Sequence, residues 1–200
     1  MNVAFVLGNG TSRSEVDLNK LKEQGIVYGC NALYREFAPH YLVAVDPKMI
    51  FEIAESKYQL THNVWTNPNT RFKDLLGFKY FDKSKGWSSG PTALDLAGSH
   101  GYDEIYILGF DYIGLNQGKS INNIYADTPN YKKSTDTATY HHNWLRQTRQ
   151  TIINYPKTQF YRVIKAYNYC PPELNIDNNR TITFEDFYKK FERSPVAAEN

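Results

Sequence analysis

Two short apolar runs that open directly into glycine constrain the fold most. Val3–Leu7 reads VAFVL and precedes Gly8-Asn9-Gly10-Thr11-Ser12, and Glu104–Leu108 reads EIYIL and precedes Gly109-Phe110-Asp111. Continuous apolar runs of this length are typical of strands buried on both faces of a parallel sheet. Parallel strands need crossover connections, so the rest of the chain should alternate strands with helices.

The remaining sequence supplies that alternation. Further strands are predicted at residues 26–30 (IVYGC), 41–45 (YLVAV), 62–66 (HNVWT) and 159–164 (QFYRVI, expected to be the last). Helices are predicted over residues 15–24, from Pro47, from Ser88-Ser89-Gly90-Pro91, over 140–155 and over 183–191 with a Thr183 N-cap, and residues 165–182 are expected to be a loop. We therefore predict one α/β domain over residues 1–192, with a mainly parallel sheet, helices on both faces and a frayed tail at 193–200.

Composition excludes several classes of protein. No apolar run approaches the roughly 20 residues of a membrane-spanning helix, and the N-terminus lacks the basic segment of a signal peptide, so we expect a cytoplasmic protein with no transmembrane segment. The net charge of +2 is too small to indicate a nucleic-acid partner. Cys30 and Cys170 have no metal-ligand spacing and are expected to be reduced thiols, and no metal site is predicted.

A long polar segment interrupts the second half of the chain. Residues 112–139 are rich in Asn, Thr and Lys and have little periodicity. Loops of this length inside a compact domain are unusual and commonly cover a binding site. We predict a lid here, and four of the 16 tyrosines of the chain lie on or beside it: Tyr112, Tyr125, Tyr131 and Tyr140.

Small and polar residues follow the predicted strands, where α/β proteins bind their ligands. Such residues permit close backbone approach and can donate hydrogen bonds to a phosphate or a sugar. Each group alone is an ordinary turn, but together they indicate one binding site. The candidate binding residues are Gly8, Asn9, Gly10, Asn31, Asp46, Ser88, Ser89, Gly90, Gly109, Asp111 and Tyr112.

Two common nucleotide motifs are absent. Arg13 occupies the place of the third glycine in the dinucleotide fingerprint, and no Gly-Lys-Ser/Thr follows to make a P-loop. His141 and His142 are adjacent, so on a helix they would point about 100° apart and not form a metal pair. One of them, at the end of the lid, is the candidate general base, since histidine exchanges protons near neutral pH.

The ordered motifs over residues 3–145 resemble those of the bacterial CMP-sialic-acid-dependent sialyltransferases, glycosyltransferase family 42. They also resemble a wider Rossmann-like set that includes a hydroxymethylpterin diphosphokinase. The resemblance rests on Gly-Asn-Gly-Thr-Ser, on Cys-Asn after the second strand, on Ser-Gly opening a helix, and most of all on Gly-Tyr-Asp-Glu-Ile-Tyr-Ile-Leu-Gly-Phe-Asp. The resemblance implies a Rossmann-like nucleotide-binding domain and a homo-oligomer.

The resemblance also implies roles for individual residues. Asn9 and Asn31 would bind the phosphate and ribose of the nucleotide, and Ser89 would bind the carboxylate of the sugar. Tyr125, with Tyr112 nearby, would bind the departing phosphate. Tyr140 matches the family tyrosine that precedes the catalytic histidine, and the general base would be His142 or His141.

Two positions depart from the family pattern. The family has Tyr-x-x-His, whereas the third residue after Tyr140 is Asn143. The family has Asn-Pro where this chain has Asp46-Pro47, and an aspartate would repel a sialyl carboxylate. The donor sugar therefore need not be sialic acid, unless Asp46 contacts a hydroxyl.

The implied chemistry is a displacement at an anomeric carbon, without metal or other cofactor. A nucleotide-sugar, with a CMP-sugar favoured, would donate its sugar to the hydroxyl of an unknown acceptor, and neutral tyrosine hydroxyls would stabilise the leaving phosphate. Asp111 is expected to cap or position the lid. Two alternatives stay open, a diphosphokinase-like transferase that uses ATP and a divalent metal, and a nucleotide-binding protein without catalysis.

Overall fold

The computed structural model describes residues 2–191 and contains one eight-stranded sheet in which every neighbouring pair of strands is parallel. The strand order is β5-β4-β3-β2-β1-β6-β7-β8. This confirms the predicted α/β, Rossmann-like fold class. The strands are β1 (Val3–Leu7), β2 (Ile26–Cys30), β3 (Tyr41–Val43), β4 (Val64–Thr66), β5 (Phe78–Tyr80), β6 (Glu104–Leu108), β7 (Gln159–Ile164) and β8 (Asn179–Thr183).

Helices cover both faces of the sheet, as predicted. The α-helices are α1 (Leu18–Gln24), α2 (Pro47–Ser56), α3 (Ser89–Ser99), α4 (Leu115–Gly118, a single turn), α5 (His142–Asn154) and α6 (Phe184–Phe191). Short 3-10 helices lie at Thr11–Arg13, Asn31–Arg35, Tyr58–Leu60 and Pro172–Leu174. No helix within residues 2–191 is long and apolar enough to cross a membrane.

The alternation of side chains along β1 divides the core into two layers. Phe5 and Leu7 pack on one face, with buried residues of α1, α2 and α6, whereas Ala4 and Val6 pack on the other face, with buried residues of α3 and α5. All four side chains are fully buried. This two-sided burial is the reason why β1 is a continuous apolar run.

The connections reverse direction between β1 and β6. From β1 the chain proceeds through β2, β3, β4 and β5 towards one edge of the sheet, and it then returns to place β6 on the other side of β1. The chain after β1 continues to α1 on one face of the sheet, and the chain after β6 passes over the loop that follows β1 before it reaches α5 on the other face. Open α/β sheets bind ligands in the crevice that such a reversal creates.

Two strands differ from the sequence-based expectations. Asn179–Thr183 pairs in parallel with β7, so the prediction of a loop throughout 165–182 is wrong, and β7 is not the last strand. Phe78–Tyr80 forms the other edge strand, which was not predicted. Thr183 is confirmed as a helix cap, because its Oγ1 accepts a hydrogen bond from Asp186 N over 3.2 Å. The predicted tail at 193–200 lies outside the described residues.

Candidate functional site

A cleft of about 420 Å³ opens at the carboxyl edge of the sheet, beyond the ends of β1 and β6. Its walls come from five loops that are far apart in sequence. All eleven candidate binding residues line it: Gly8, Asn9, Gly10, Asn31, Asp46, Ser88, Ser89, Gly90, Gly109, Asp111 and Tyr112. None of the four candidate catalytic residues is among the residues that line it: Tyr125, Tyr140, His141 and His142.

The floor of the cleft consists of the two glycine turns, in direct backbone contact. Gly8 N donates to Leu108 O over 2.8 Å and Gly10 N to Gly109 O over 2.9 Å. A Cβ atom at Gly8 would lie 2.6 Å from Gly109 O, so this close approach requires glycine. The left-handed φ of +72° at Gly109 likewise favours glycine.

Asp111 ties the loop after β6 to the loop after β1. Its Oδ2 accepts from Ser12 N over 3.0 Å and its Oδ1 accepts from Ser12 Oγ over 2.5 Å. The contacts of this carboxylate are thus to the first loop, whereas the sequence suggested a role in positioning the lid.

The side chain of Asn9 is held by the protein on both sides of its amide. Asn9 Nδ2 donates to Cys30 O over 3.2 Å, and Asn9 Oδ1 accepts from Arg13 Nη2 over 3.1 Å. Arg13 Nε also donates to Gly8 O over 2.5 Å. Arg13 is 3% exposed, so a buried guanidinium supports the first loop from behind. The position that breaks the dinucleotide fingerprint therefore carries a structural cation.

Asn31 follows β2, lines the cleft and has a left-handed backbone conformation. Its φ is +53°, a left-handed value that costs energy for a residue other than glycine. The atom Asn31 Oδ1 is buried and has no hydrogen-bond partner within residues 2–191. A buried acceptor without a partner is costly, so this oxygen is available to a donor group of a ligand.

The amino end of α3 forms a third part of the wall. Ser88 is the N-cap but makes no side-chain capping bond, and Pro91 has no N–H. The first-turn N–H groups of Ser89 and Gly90 are therefore left without helical partners, and they lie at the positive end of the helix dipole. Ser89 Oγ accepts from Val45 N over 3.0 Å, which fixes α3 to the loop after β3.

Asp46 lines the same wall as the cap of α2. Its Oδ1 accepts from Lys48 N over 2.8 Å, while the side chain remains exposed. Asp46 thus caps α2 and also places an acidic group at the cleft.

Tyr112 lies in the loop after β6, and its backbone has a left-handed φ of +62°, which is unfavourable for a tyrosine. Its ring lies 5.0 Å from the guanidinium carbon of Arg162. Burial raises the pKa of the Tyr112 hydroxyl to about 12, against a smaller opposing effect of Arg162. The hydroxyl is therefore protonated at neutral pH and can act as a donor.

The first part of the lid is fixed onto the loops after β1 and β2. Asn122 Oδ1 accepts from both Thr11 N and Thr11 Oγ1, each over 2.8 Å, and Ile124 N donates to Asn9 O over 2.8 Å. Tyr131 OH accepts from Ala32 N over 3.3 Å.

Tyr125 belongs to this fixed part and points into the protein. Tyr125 OH donates to Glu36 Oε1 over 2.5 Å and accepts from Arg13 Nη2 over 3.4 Å. The side chain is 6% exposed, and burial raises its pKa. In this arrangement Tyr125 connects the lid to Arg13 behind the cleft, rather than lining the cleft itself.

An ion pair anchors the middle of the lid to α2. Arg35 Nε lies 2.7 Å from Glu52 Oε1, and Arg35 also donates to Thr128 Oγ1 and to Pro129 O, each over 2.8 Å. Asn130 Nδ2 donates to Glu52 Oε2 over 2.6 Å. The second part of the lid, residues 132–140, is mostly exposed.

The candidate base residues lie at the end of that exposed part. The rings of Tyr140 and His142 are stacked at 5.0 Å, and Tyr140 is 73% exposed. His141 contacts the edge of Tyr169 at 5.8 Å. In sequence the two histidines fall between Thr139 and Trp144, which both line the cleft.

Several lining residues were not singled out from the sequence. They come from the lid and from the start of α5, where no local pattern distinguishes a lining position from an exposed one. Among them are Ile121, Asn122, Asn123, Lys132 and Trp144. Residues 2–191 contain no group of three or more His, Cys, Asp or Glu side chains arranged to hold a metal ion.

Comparisons of the chain with models of protein families, with curated proteins and with solved structures gave no match.

Proposed function

We propose that this protein is a sialyltransferase-like glycosyltransferase that moves a sugar from a nucleotide-sugar, with a CMP-sugar favoured, to an acceptor hydroxyl. The observation that carries the proposal is the convergence of eleven candidate donor-binding residues, from five loops, on one cleft beyond the carboxyl ends of β1 and β6. Its volume of about 420 Å³ suits a small molecule, since such sites span roughly 300 to 1,000 Å³.

Three groups in the cleft suit the parts of such a donor. The free N–H groups at the start of α3 favour an anionic group, such as a phosphate or a sugar carboxylate. The neutral hydroxyl of Tyr112 is buried beside Thr148, and it would donate to a leaving phosphate if the side chain turned towards the cleft. The unpaired Asn31 Oδ1 can accept a hydrogen bond from a ribose hydroxyl.

In the proposed reaction the acceptor oxygen forms a bond to the anomeric carbon while the bond from that carbon to the phosphate oxygen breaks. The acceptor proton passes to the imidazole of His142 or His141, and the phosphate leaves with the bonding electrons. The transfer step rests on the family resemblance. It requires the exposed residues 132–142 to bring one histidine to the cleft, while Tyr125 keeps the first part of the lid in place.

The release of CMP from CMP-sialic acid tests the proposal, in the wild-type protein and in the His141→Ala and His142→Ala variants. Removal of a general base should lower turnover by about 10²- to 10⁴-fold in one of the two variants. His62→Ala is the control, because His62 is exposed and stacks on Tyr58, away from the cleft. Unchanged turnover in both variants would contradict the assignment of the base.

One observation favours a second candidate, the diphosphokinase-like transferase. Asp46 and Asp111 both line the cleft, and a kinase of this kind needs acidic residues near the ATP phosphates to bind a divalent metal. Loss of activity in EDTA, together with a melting temperature raised by ATP and magnesium but not by CMP, would favour this function. A ligand that binds the folded state raises its stability by mass action.

The same thermal-shift series, together with the turnover measurement, also tests the third function, nucleotide binding without catalysis. If nucleotides raise the melting temperature and no donor is turned over, the protein binds nucleotides without catalysis.

A further inference from the structure

Two buried arginine side chains lie directly behind the cleft. Arg13 is 3% exposed and Arg162 is 2% exposed. Neither takes part in any of the ion pairs formed within residues 2–191. A buried cation without a carboxylate partner is costly, so its retention calls for a physical reason.

Each guanidinium supports a backbone carbonyl of a loop that lines the cleft. Arg13 donates to Gly8 O and to Asn9 Oδ1 on the β1 side. Arg162 donates to Phe110 O through Nε over 3.1 Å and through Nη2 over 3.0 Å on the β6 side. The oxygen atoms that accept from the two guanidinium groups are uncharged, so these hydrogen bonds leave the two positive charges uncompensated.

The nearby acidic groups do not cancel this charge. Asp111 is the one buried carboxylate that lines the cleft, and both its oxygens accept from Ser12. Glu36 reaches Arg13 only through the hydroxyl of Tyr125. At the mouth of the cleft, the charge of Asp46 is matched by the opposite charge of Lys132. The buried charges are therefore one negative charge in the wall of the cleft, at Asp111, and two positive charges behind it.

We propose that Arg13 and Arg162 are positioning residues that make the cleft selective for a phosphate-bearing ligand over its uncharged counterpart. Their charge favours the phosphate from behind the loops, and neither side chain lines the cleft. This inference rests on the proposed function, because it concerns the phosphate of the nucleotide. Since buried charges are screened less than exposed ones, the selectivity should resist added salt.

Calorimetric affinities for CMP and cytidine test the inference in the wild-type protein and in the Arg13→Gln and Arg162→Gln variants. CMP affinity should fall by about tenfold or more in each variant, because a unit charge acts over several ångströms in a medium of intermediate dielectric constant. Cytidine affinity should stay within about twofold, since cytidine carries no charge for the arginines to attract. Arg180→Gln is the matched control. Arg180 lies on β8, is exposed, and also donates to a backbone carbonyl, that of Asp177.

Two further measurements keep the test decisive if a glutamine variant folds poorly. Arg13→Lys and Arg162→Lys retain the charge and should keep most of the CMP affinity that the glutamine variants lose. In the wild-type protein, CMP affinity should fall by less than about threefold between low and moderate salt, whereas capture by exposed lysines would fall steeply.

The outcomes separate the inference from the proposed function. Equal losses of CMP and cytidine affinity, lysine variants as weak as the glutamine variants, or a steep salt dependence would overturn the inference. Wild-type binding of CMP that neither glutamine variant reduces would overturn it while leaving the proposed function standing. Wild-type binding of inorganic pyrophosphate that depends on both arginines, without binding of any nucleotide, would support the inference and contradict the proposed function.

Discussion

Arg13 fixes the side chain of Asn9 in the first loop, because Arg13 Nη2 donates a hydrogen bond to Asn9 Oδ1 over 3.1 Å. The other end of the same amide donates to Cys30 O, so one side chain joins the loop after β1 to the end of β2. The two bonds together fix the orientation of the Asn9 side chain, while backbone contacts with the loop after β6 hold the rest of the first loop.

Asn9→Ala should therefore destabilise the fold. The substitution leaves buried hydrogen-bonding groups on Arg13 and Cys30 unpaired, which costs about 1 to 3 kcal/mol. The measurement is the free energy of unfolding in urea. Asn154→Ala serves as the control, since the exposed Asn154 should change stability by less than about 0.5 kcal/mol. Equal stabilities of the two variants would contradict the role of Asn9.

The glycine turns predict a contrast between two alanine substitutions. A Cβ atom at Gly10 would lie 2.6 Å from Gly109 O, whereas one at Gly90 would meet Phe110 Cζ at 3.4 Å, an ordinary contact distance. Gly10→Ala should lower the free energy of unfolding by about 1 to 3 kcal/mol. Gly90→Ala should leave the melting temperature close to that of the wild type. A Gly10→Ala variant as stable as Gly90→Ala would show that the turns are not tightly apposed.

The two thiols should differ in reactivity. Cys30 is 4% exposed and burial raises its pKa to about 12, while Cys170 is exposed. At neutral pH a chromogenic disulfide should therefore modify one thiol in the native protein and two in denaturant, because the thiolate is the reactive form. Cys170→Ser should remove the native reaction. Rapid modification of Cys30 in that variant would contradict its burial.

The lid anchor should weaken in acid. Burial alone would raise the pKa of Glu52, but hydrogen bonds from Arg35, Tyr34 and Asn130 lower it below its ordinary value. A carboxylate with a depressed folded-state pKa contributes stability above its unfolded pKa and loses it as the pH falls through the folded value. The melting temperature of the wild type should exceed that of Glu52→Gln near pH 6, and this difference should shrink towards pH 3.

The effect should be small, since partly exposed ion pairs contribute about 1 kcal/mol or less. Glu55→Gln, an exposed position on the same helix, reports the general effect of removing a carboxylate from α2. A difference between wild type and Glu52→Gln that is independent of pH would show that the carboxylate does not anchor the lid.

The local sequence was sufficient to predict a strand where burial fixes the residue types along that strand. The bounds of β1, β2, β6 and β7 were predicted correctly. Strands covered on both faces are continuous apolar runs, which identifies β1 and β6 most clearly, whereas β7 includes the polar residues Gln159 and Arg162. Asn179–Thr183 was not predicted, because this edge strand reads NRTIT and its residues are exposed or half-buried apart from Asn179. Its pairing with β7 is a long-range contact that leaves no local signal.

The same distinction applies to the site. The candidate binding residues follow strands or open a helix, so the sheet alone brings them to one edge. Lid residues are positioned by contacts with distant loops, such as that of Tyr125 with Glu36 and Arg13. Spacing in the sequence therefore did not reveal that Tyr125 points inward, or that Arg13 supports the cleft from behind.

The central claim is that the cleft between β1 and β6 binds the phosphate of a nucleotide. A titration of the protein with CMP, followed through the backbone amide signals in nuclear magnetic resonance, tests it most directly. We expect saturable changes in the chemical shifts of the backbone amides, largest at Asn9, Ser89 and Gly90. The absence of saturable shifts, or shifts centred on the separate groove at Arg35, Phe51 and Glu55, would contradict it.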